Sequence, residues 1–176
     1  MELSKLNDAA VYVGTYKKYN EGSLFGKWMQ LADYENKADF YKACKELHKD
    51  EEDPEFMFQD WEYIPDCFIG ESWIDGKVWD LLDLDVEDAE IVDHYAYACS
   101  IDLKDYEDLG DLVDEAKKAF VGHYKDYADL GIAEVEQGCI EIPSYLERYF
   151  DYEAFGRDCA TDYMEDDGYY FDTNRL

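Results

Sequence analysis

The stretch from Glu71 to Ala116 most constrains how this chain can fold, because it holds sixteen Asp or Glu residues against only Lys77 and Lys104. A disordered acidic tail carries its charges in blocks with few apolar neighbours. In this stretch, bulky apolar residues lie between the acids at short intervals: Trp73, Trp79, Leu82, Ile91, Tyr95, Leu109, Leu112 and Val113. The pattern predicts folded helices whose outer faces are negatively charged.

The last helix predicted in this stretch has the clearest periodicity. Its apolar face is indicated by residues at i, i+3, i+4, i+7 and i+11, namely Leu109, Leu112, Val113, Ala116 and Phe120. The opposite face would carry Asp105, Asp108, Asp111, Asp114 and Glu115. Because a helix rises about 1.5 Å per residue, an acid at every third position places a carboxylate every ~4.5 Å. We therefore expect a ladder of negative charge on this face.

The formal net charge of −29 on 176 residues limits the partners that the chain can bind. A small domain usually carries a net charge of magnitude about 2 to 8, and further like charge destabilises the compact state. Nucleic-acid binding needs clustered Lys and Arg, so the charge disfavours nucleic acid as a partner. We expect a basic protein partner, although acids that only solvate the surface would give the same composition.

The cysteines Cys44, Cys67, Cys99, Cys139 and Cys159 are odd in number, widely spaced and without a CxxC pair. This pattern is typical of reduced core thiols rather than of a disulfide framework. The N-terminus has no signal-like apolar segment, and no apolar run approaches the roughly 18 residues that span a bilayer. We expect a cytoplasmic protein without a membrane-spanning segment.

The first third of the chain predicts a small antiparallel sheet with one helix. β-Branched and aromatic residues at 10–16, 25–31 and 56–62 are typical of strands, and Pro65 ends the third. Apolar residues at helical spacing predict a helix over 36–48.

Helices dominate the prediction for the remaining chain, over 73–82, 86–99, 109–120, 126–137 and from Ser144 to about Thr161. Ser144 and Glu147 have the spacing of a capping box at the start of the last helix. Short strands are predicted over 120–124 and 169–171.

Together these elements predict an α+β fold class in three segments. Residues 1–69 form an antiparallel sheet plus helix, 70–118 an acidic helical domain, and 119–176 a mixed α/β part. No Pro- or Ser-rich linker marks the first boundary.

Each candidate metal motif lacks a required part. Asp83, Asp85 and Glu87 begin like a calcium loop, but an EF-hand needs Gly at position six and Glu at position twelve. The chain has Asp88 and His94 at these positions. Glu90 shares a helix face with His94, yet a carboxylate-bridged di-metal bundle needs two Glu-x-x-His motifs and none occurs. A solvated helix face explains the pair better.

Each candidate catalytic motif also lacks a required part. Pro65-Asp66 and Asp75-Gly76-Lys77 resemble the two parts of a restriction-type nuclease motif, which have to lie on adjacent strands. Lys77 lies in a predicted helix, and the net charge would repel DNA. The histidines have no matched Ser or Cys nucleophile, and no glycine-rich phosphate loop occurs. We predict no catalytic residue, no metal and no cofactor.

The net charge is comparable with that of a short DNA duplex. Duplex DNA carries one negative charge per about 1.7 Å of axis, so 29 charges correspond to roughly 50 Å, or ~15 base pairs. A groove lined with Lys and Arg cannot distinguish phosphates from carboxylates with a similar spacing on a rigid scaffold. Such a protein would act as a decoy, and its binding would be fast and salt-dependent.

Several sequence blocks carry a family resemblance: 11–13 with 19–28, 58–62 with Pro65, Phe120-x-Gly122-x-Tyr124, and 145–158. In this order along nearly the whole chain, they resemble the ArdA antirestriction family. The first and last blocks are specific, whereas the acidic middle resembles the family in composition more than in individual residues.

The resemblance implies a non-enzymatic DNA mimic that occupies the DNA-binding groove of type I restriction-modification enzymes and blocks cleavage and often methylation. It also implies three small domains in an elongated body and a homodimer formed through the C-terminal segment Phe120–Leu176. Two copies would offer about 30 base pairs' worth of charge by the axial spacing of DNA.

We expect the phosphate-mimicking surface to be formed by acids of the middle segment and of the helix that follows it. They are Asp75, Asp80, Asp83, Asp85, Glu87, Asp88, Glu90, Asp93, Asp102, Asp105, Glu107, Asp108, Asp111, Asp114, Glu115, Asp126, Asp129 and Glu134.

Two alternatives remain open at the level of sequence. An acidic adaptor that binds another basic protein differs from a decoy because DNA would not compete with it. A carboxylate-metal hydrolase would bind divalent metal tightly, and single substitutions would abolish its activity. A decoy's distributed charge predicts small effects of single substitutions that accumulate in combination.

Overall fold

The structure, a computed structural model, describes residues Leu3–Leu176. With 49% of residues helical and 18% in strands of small antiparallel sheets, the predicted α+β class is confirmed. Two compact units divide the chain. Unit 1 comprises the residues up to Glu90 and Leu103–Gly110, and unit 2 comprises Ile91–Asp102 and Asp111–Leu176. The division into three segments stays a prediction.

The helices and strands follow in the order β1 Ala10–Thr15, α1 Tyr16–Asn20, β2 Lys27–Gln30, α2 Lys37–Leu47, β3 Phe56–Glu62, β4 Ile69–Gly70, β5 Trp73–Ile74, α3 Lys77–Leu82, α4 Val86–Ala98, α5 Leu109–Ala119, β6 Phe120–His123, α6 Tyr127–Glu136, α7 Tyr152–Ala160, β7 Met164–Asp166 and β8 Tyr169–Phe171. None of the helices in this described part of the chain combines the length and the apolarity needed to cross a membrane.

Unit 1 is built on a three-stranded antiparallel sheet in the order β2-β1-β3. The central strand β1 buries Val11 and Val13 completely. Phe40 of α2 packs on Phe58 of β3 and on Trp79 of α3, with ring centroids 5.9 and 5.8 Å apart. The predicted sheet with its covering helix is therefore confirmed, and α3 joins the same aromatic core.

Unit 2 contains a second three-stranded antiparallel sheet, in the order β6-β8-β7. Phe171 of β8 is fully buried, and its ring lies 5.2 Å from Tyr95 of α4 and 5.7 Å from Phe120 of β6. Leu112 of α5 and Leu130 of α6 are also fully buried. Leu112 lies on the apolar face that the helical periodicity of α5 predicted.

Helices α6 and α7 cross with their backbones in contact. A Cβ atom added to Gly131 would lie 2.1 Å from the carbonyl oxygen of Tyr152, and one added to Gly156 would lie 1.9 Å from that of Tyr127. No real side chain fits at such distances, so only glycine permits this crossing.

The helix predicted to begin at Trp73 is wrong at its start. Trp73–Ile74 forms β5, which pairs with β4 through Ile69 and Gly70, and α3 begins only at Lys77. Strand pairing with residues earlier in the chain overrides the local helical pattern here, because a two-residue strand has no recognisable period of its own.

The helix predicted to begin at Ser144 is also wrong at its start. A 3-10 turn at Glu147–Tyr149 follows, and Phe150 is extended, with ψ at 130°. Helix α7 begins at Tyr152, where Oδ1 of Asp151 accepts a hydrogen bond from the N–H of Ala154 at 3.0 Å. The capping box at Ser144 therefore does not start a helix, because the true cap lies at Asp151.

All five cysteines are free, but they are not all core residues. Cys44 is buried, and desolvation raises the pKa of its thiol to about 12. Cys139 is exposed, so the prediction of a core thiol is wrong at that position.

Substituting Gly156 with alanine should destabilise the protein by about 2–3 kcal/mol, because the new methyl group has to displace the α6 backbone. Gly76→Ala is the matched control, since a Cβ atom added at Gly76 would have no other atom within 4 Å. We expect a change of less than about 1 kcal/mol there. Urea unfolding of both variants measures the two free energies, and equal losses would contradict the close crossing of α6 and α7.

Candidate acidic partner-binding surface

The eighteen acids predicted to form the partner-binding surface differ in exposure. Eleven are exposed: Asp80, Asp83, Asp85, Glu87, Asp105, Glu107, Asp108, Asp111, Asp114, Asp126 and Asp129. Six are half-buried: Asp75, Asp88, Glu90, Asp93, Asp102 and Glu115. Glu134 is the one member of this set that is buried.

Glu134 is only 2% exposed, and both of its carboxylate oxygens are hydrogen-bonded within unit 2. It accepts hydrogen bonds from the hydroxyl of Tyr163 at 2.9 Å and from the thiol of Cys139 at 2.7 Å. The second contact, with burial, raises the pKa of Cys139 to about 11. Burial and the hydrogen bond to Glu134 also raise the pKa of Tyr163. We therefore leave Glu134 out of the candidate surface.

The carboxylate ladder predicted along one helix is shorter than expected. Helix α5 begins at Leu109, so only Asp111 and Asp114 lie on it as exposed acids. Asp105 ends a 3-10 turn, and Asp108 precedes the helix. The prediction that all five acids, including the half-buried Glu115, share one helix face is therefore wrong for Asp105 and Asp108.

Four of the acids cap the N-terminus of a helix, a role that the sequence analysis did not predict. One carboxylate oxygen of Asp75, Asp85, Asp108 and Asp126 accepts a hydrogen bond of 2.8–3.0 Å from a backbone N–H two or three residues later. These N–H groups have no partner within their own helix, and the helix dipole favours negative charge there. For Asp85 and Asp108 the available signal was an acid directly before a predicted helix.

Three carboxylates surround Asp80 in unit 1 and disfavour its negative charge. Partial desolvation raises the pKa of the Asp80 carboxyl, and the carboxylates of Asp108, Asp83 and Asp75 raise it further, while Lys77 lowers it. Desolvation and repulsion from like charges therefore both disfavour the ionised form of Asp80. The acids of unit 1 that lie apart in the sequence are therefore brought together by the fold.

The acidic surface of unit 1 also includes residues that the sequence prediction left out. A cleft of about 290 Å³ is lined by Asp33 and Glu35 from the turn after β2, together with Asp83 and Trp79. The indole N–H of Trp79 donates to the carbonyl oxygen of Tyr34 at 3.0 Å, which ties this turn to α3. Periodicity could not place these acids beside Asp83, because the contact is distant in sequence.

Negative charge is present in both units rather than in one segment. Unit 1 contains 26 acids and 10 lysines, and unit 2 contains 19 acids and 6 lysines or arginines. Each unit therefore carries its own acidic surface.

The sequence analysis assigned His94 to a solvated helix face, and this interpretation is wrong. Its Nδ1 atom lies 2.7 Å from Oδ2 of Asp166, and its ring stacks on Tyr169 at 3.9 Å. His123 stacks on Tyr169 as well, at 4.2 Å. Both imidazoles thus take part in the packing of unit 2. Among residues 3–176, no three His, Cys, Asp or Glu side chains converge in a geometry suited to a metal ion.

Replacing Asp80 by Asn should stabilise the protein at about pH 7. The gain should be at most about 0.5 kcal/mol, because solvent screens charges at exposed sites. The folded protein binds the Asp80 proton more tightly than the unfolded chain does, so the wild type regains this stability as the pH falls through the raised pKa. The advantage of the variant should therefore disappear in acid, as urea unfolding at several pH values can measure.

Glu87→Gln is the control for this substitution. Glu87 is exposed in the first turn of α4, where the helix dipole favours negative charge. Removing that charge should leave the stability unchanged or lower it slightly. A loss of stability in the Asp80 variant at about pH 7 would contradict the repulsion among the four carboxylates.

Comparison with known families adds a finding that the geometry alone does not provide. The sequence profile of the family described as "Antirestriction protein (ArdA)" matches residues 11–171. Comparison with individual curated proteins gave no match. The family match covers nearly the whole chain and supports an antirestriction function that involves restriction-modification enzymes. The chain therefore belongs to the ArdA family of antirestriction proteins.

Proposed function

We propose that this protein is a double-stranded DNA mimic that occupies the DNA-binding groove of type I restriction-modification enzymes and blocks restriction and methylation. The observation that carries the proposal is the set of exposed carboxylates fixed at helix starts, at Asp85, Asp108 and Asp126. A groove that neutralises phosphates with Lys and Arg offers the same contacts to such carboxylates.

The fixed carboxylates suit a decoy for a physical reason. Flexible surface acids lose side-chain entropy when they are held by a partner, whereas a carboxylate already bonded to a backbone N–H has less freedom to lose. A carboxylate has two oxygens, and the cap uses one of them, so the other remains available to an arginine or lysine. The mimic therefore presents preorganised charges in both units, at Asp85 and Asp108 in unit 1 and at Asp126 in unit 2.

No catalytic step is part of this proposal. His48 is buried and bonded on both ring nitrogens, and His94 pairs with Asp166. Neither imidazole is beside a serine or cysteine that it could activate as a nucleophile among its contacts. Inhibition by occupying a groove needs only shape and charge.

Removing several exposed carboxylates together should weaken binding to a purified type I enzyme. Asp83→Asn, Glu87→Gln, Asp111→Asn and Asp114→Asn should each change the affinity by no more than about threefold. The four together should reduce it about tenfold or more, because exposed charges each contribute a few tenths of a kcal/mol. Competition against labelled target DNA measures these affinities, and raising the salt concentration should weaken both the decoy and the DNA complex.

The double variant Lys42→Gln/Lys45→Gln is the control, since it changes two exposed charges of α2 without removing any carboxylate. Its affinity should not fall. An acidic adaptor is the competing function, and DNA would fail to displace the protein from such a partner. If the fourfold variant binds and inhibits as the wild type does, the decoy mechanism is wrong.

We further propose that the protein forms a homodimer through unit 2. The segment after α6 exposes large apolar side chains, with Tyr145 71% and Tyr149 70% exposed. Beside it, Ile140, Ile142 and Pro143 help to line a shallow cleft of about 470 Å³. Exposed apolar side chains concentrated in one segment are typical of protein–protein contacts. A second copy that covers it would have to outweigh the repulsion between two chains of charge −29.

The double variant Tyr145→Ser/Tyr149→Ser should therefore shift the protein towards the monomer. Sedimentation velocity over a range of concentrations measures the effect, and we expect the dissociation constant to rise about tenfold or more. Tyr97→Ser in α4 removes an equally exposed tyrosine outside this segment and should not change it. An unchanged dissociation constant in the double variant would place the dimer contact elsewhere.

A further inference from the structure

Four large apolar side chains of unit 1 are exposed between α1 and the start of β2. They are Tyr19, Leu24, Phe25 and Trp28, with exposed fractions between 39% and 70%. We call this group the aromatic corner. Single exposed apolar residues are common on protein surfaces, whereas the four of the aromatic corner are concentrated within residues 19–28. Tyrosine and tryptophan are also enriched among the residues that contribute most to protein interfaces.

The aromatic corner is held in place by contacts with the rest of unit 1. The hydroxyl of Tyr12 donates to the carbonyl oxygen of Leu24 at 3.0 Å, and the Tyr12 ring makes an edge contact with Trp28 at 5.7 Å. Phe25 packs edge-on against the buried ring of His48, also at 5.7 Å. A patch that is already ordered loses little conformational freedom on binding.

The loop of the corner also lies tightly against β1. A Cβ atom on Gly26 would lie 2.6 Å from the carbonyl oxygen of Val13 and 2.7 Å from the ring of Tyr12. Gly22 has φ at +81°, in the left-handed region that favours glycine. These two glycines allow the loop to place Leu24 and Phe25 at the surface.

The segment that carries the corner has an excess of lysine over acid, unlike the chain as a whole. Residues 16–28 contain Lys17, Lys18 and Lys27 against the single acid Glu21. Lys18 is paired with Asp50, whereas Lys17 and Lys27 are exposed. A groove lined with Lys and Arg would repel these two lysines, so the corner is unsuited to the groove itself.

We propose that the aromatic corner is a second contact with the restriction-modification enzyme, made on an apolar surface without positive charge outside the DNA-binding groove. This inference rests on the proposed DNA mimicry. The corner and the carboxylates around Asp80 belong to the same compact unit. An enzyme that binds those carboxylates therefore has the corner on the unit that it contacts. DNA has no counterpart of the corner, and the contact gives the decoy affinity that salt does not weaken.

A second copy of the chain is the less favoured occupant of the corner. Two copies of charge −29 repel each other over long distances, and a further interface between them has to overcome that repulsion as well. The basic groove of the enzyme attracts the acidic protein and so assists the neighbouring apolar contact.

The double variant Leu24→Ser/Phe25→Ser tests the inference in competition against labelled DNA for a purified type I enzyme, at three salt concentrations. We expect the affinity to fall about tenfold, with the slope of log K against log salt unchanged, because no charge is removed. The fourfold acid variant should lower both the affinity and the magnitude of that slope. Val86→Ser is the control, since Val86 is an exposed apolar residue of unit 1 outside the corner.

A second variant protects the test against loss of folding, because Phe25 contacts the buried His48. Tyr19→Ser/Leu24→Ser leaves that contact intact and should still reduce the affinity about threefold or more. Urea unfolding establishes that each variant is folded.

Unchanged affinity in both corner variants, with weakened binding of the fourfold acid variant, would overturn the inference and leave the DNA mimicry standing. If the acid variant also binds normally, the DNA mimicry fails, and the inference fails with it. A corner variant that alters only the monomer–dimer equilibrium would assign the patch to a second copy and equally overturn the inference.

Discussion

This protein has 45 acidic side chains against 16 lysines and arginines. Their mutual repulsion destabilises the folded state, and every helix and strand has to be stable in spite of it. The repulsion acts over long distances, so it has to be opposed by contacts that do not depend on charge. In unit 1 these contacts are aromatic, with Phe40 between Phe58 and Trp79. In unit 2 the backbones of α6 and α7 meet at Gly131 and Gly156. An aromatic content of 17% is consistent with this demand.

One cation, Lys18, is half-buried and contributes to the packing of unit 1. The ammonium of Lys18 lies 3.0 Å from Nδ1 of the buried His48, 2.8 Å from Asp50 and 3.3 Å from Glu51. The other ring nitrogen of His48 lies 3.3 Å from the carbonyl oxygen of Val13. This network joins α1 and β1 to the end of α2. Lys18 thus pairs with the exposed carboxylate of Asp50 while it contacts the buried ring of His48.

Much of the fold could be predicted from the sequence where one local pattern decided the structure. Periodicity placed α5, whose Leu112 and Ala116 are fully buried, and strand-like residues placed β1 and β3. Local patterns failed at Trp73, where pairing with Gly70 makes a strand, and at Ser144, where the capping-box sequence is followed by a 3-10 turn instead of an α-helix. In both cases contacts or backbone geometry outside the local window decided the outcome.

The candidate surface was predictable in composition but not in geometry. The abundance of acids pointed to a negatively charged surface, yet no sequence signal distinguished the buried Glu134 from the exposed Asp129. Nor could periodicity bring Asp108 beside Asp80, because that proximity depends on the packing of unit 1. Residue type limited the kind of partner, and tertiary structure determined which carboxylates are accessible to it.

Folding and the proposed decoy function favour the same charge at some acids and conflict at others. At Asp85 and Asp108 the negative charge caps a helix, so it stabilises the free protein and also resembles a phosphate. At Asp80 the charge is disfavoured in the free protein, as its raised pKa shows. A basic groove would relieve that repulsion on binding, so part of the binding free energy would come from strain already present in the free protein. Asp80 is therefore the kind of position at which a stabilising substitution would weaken a decoy.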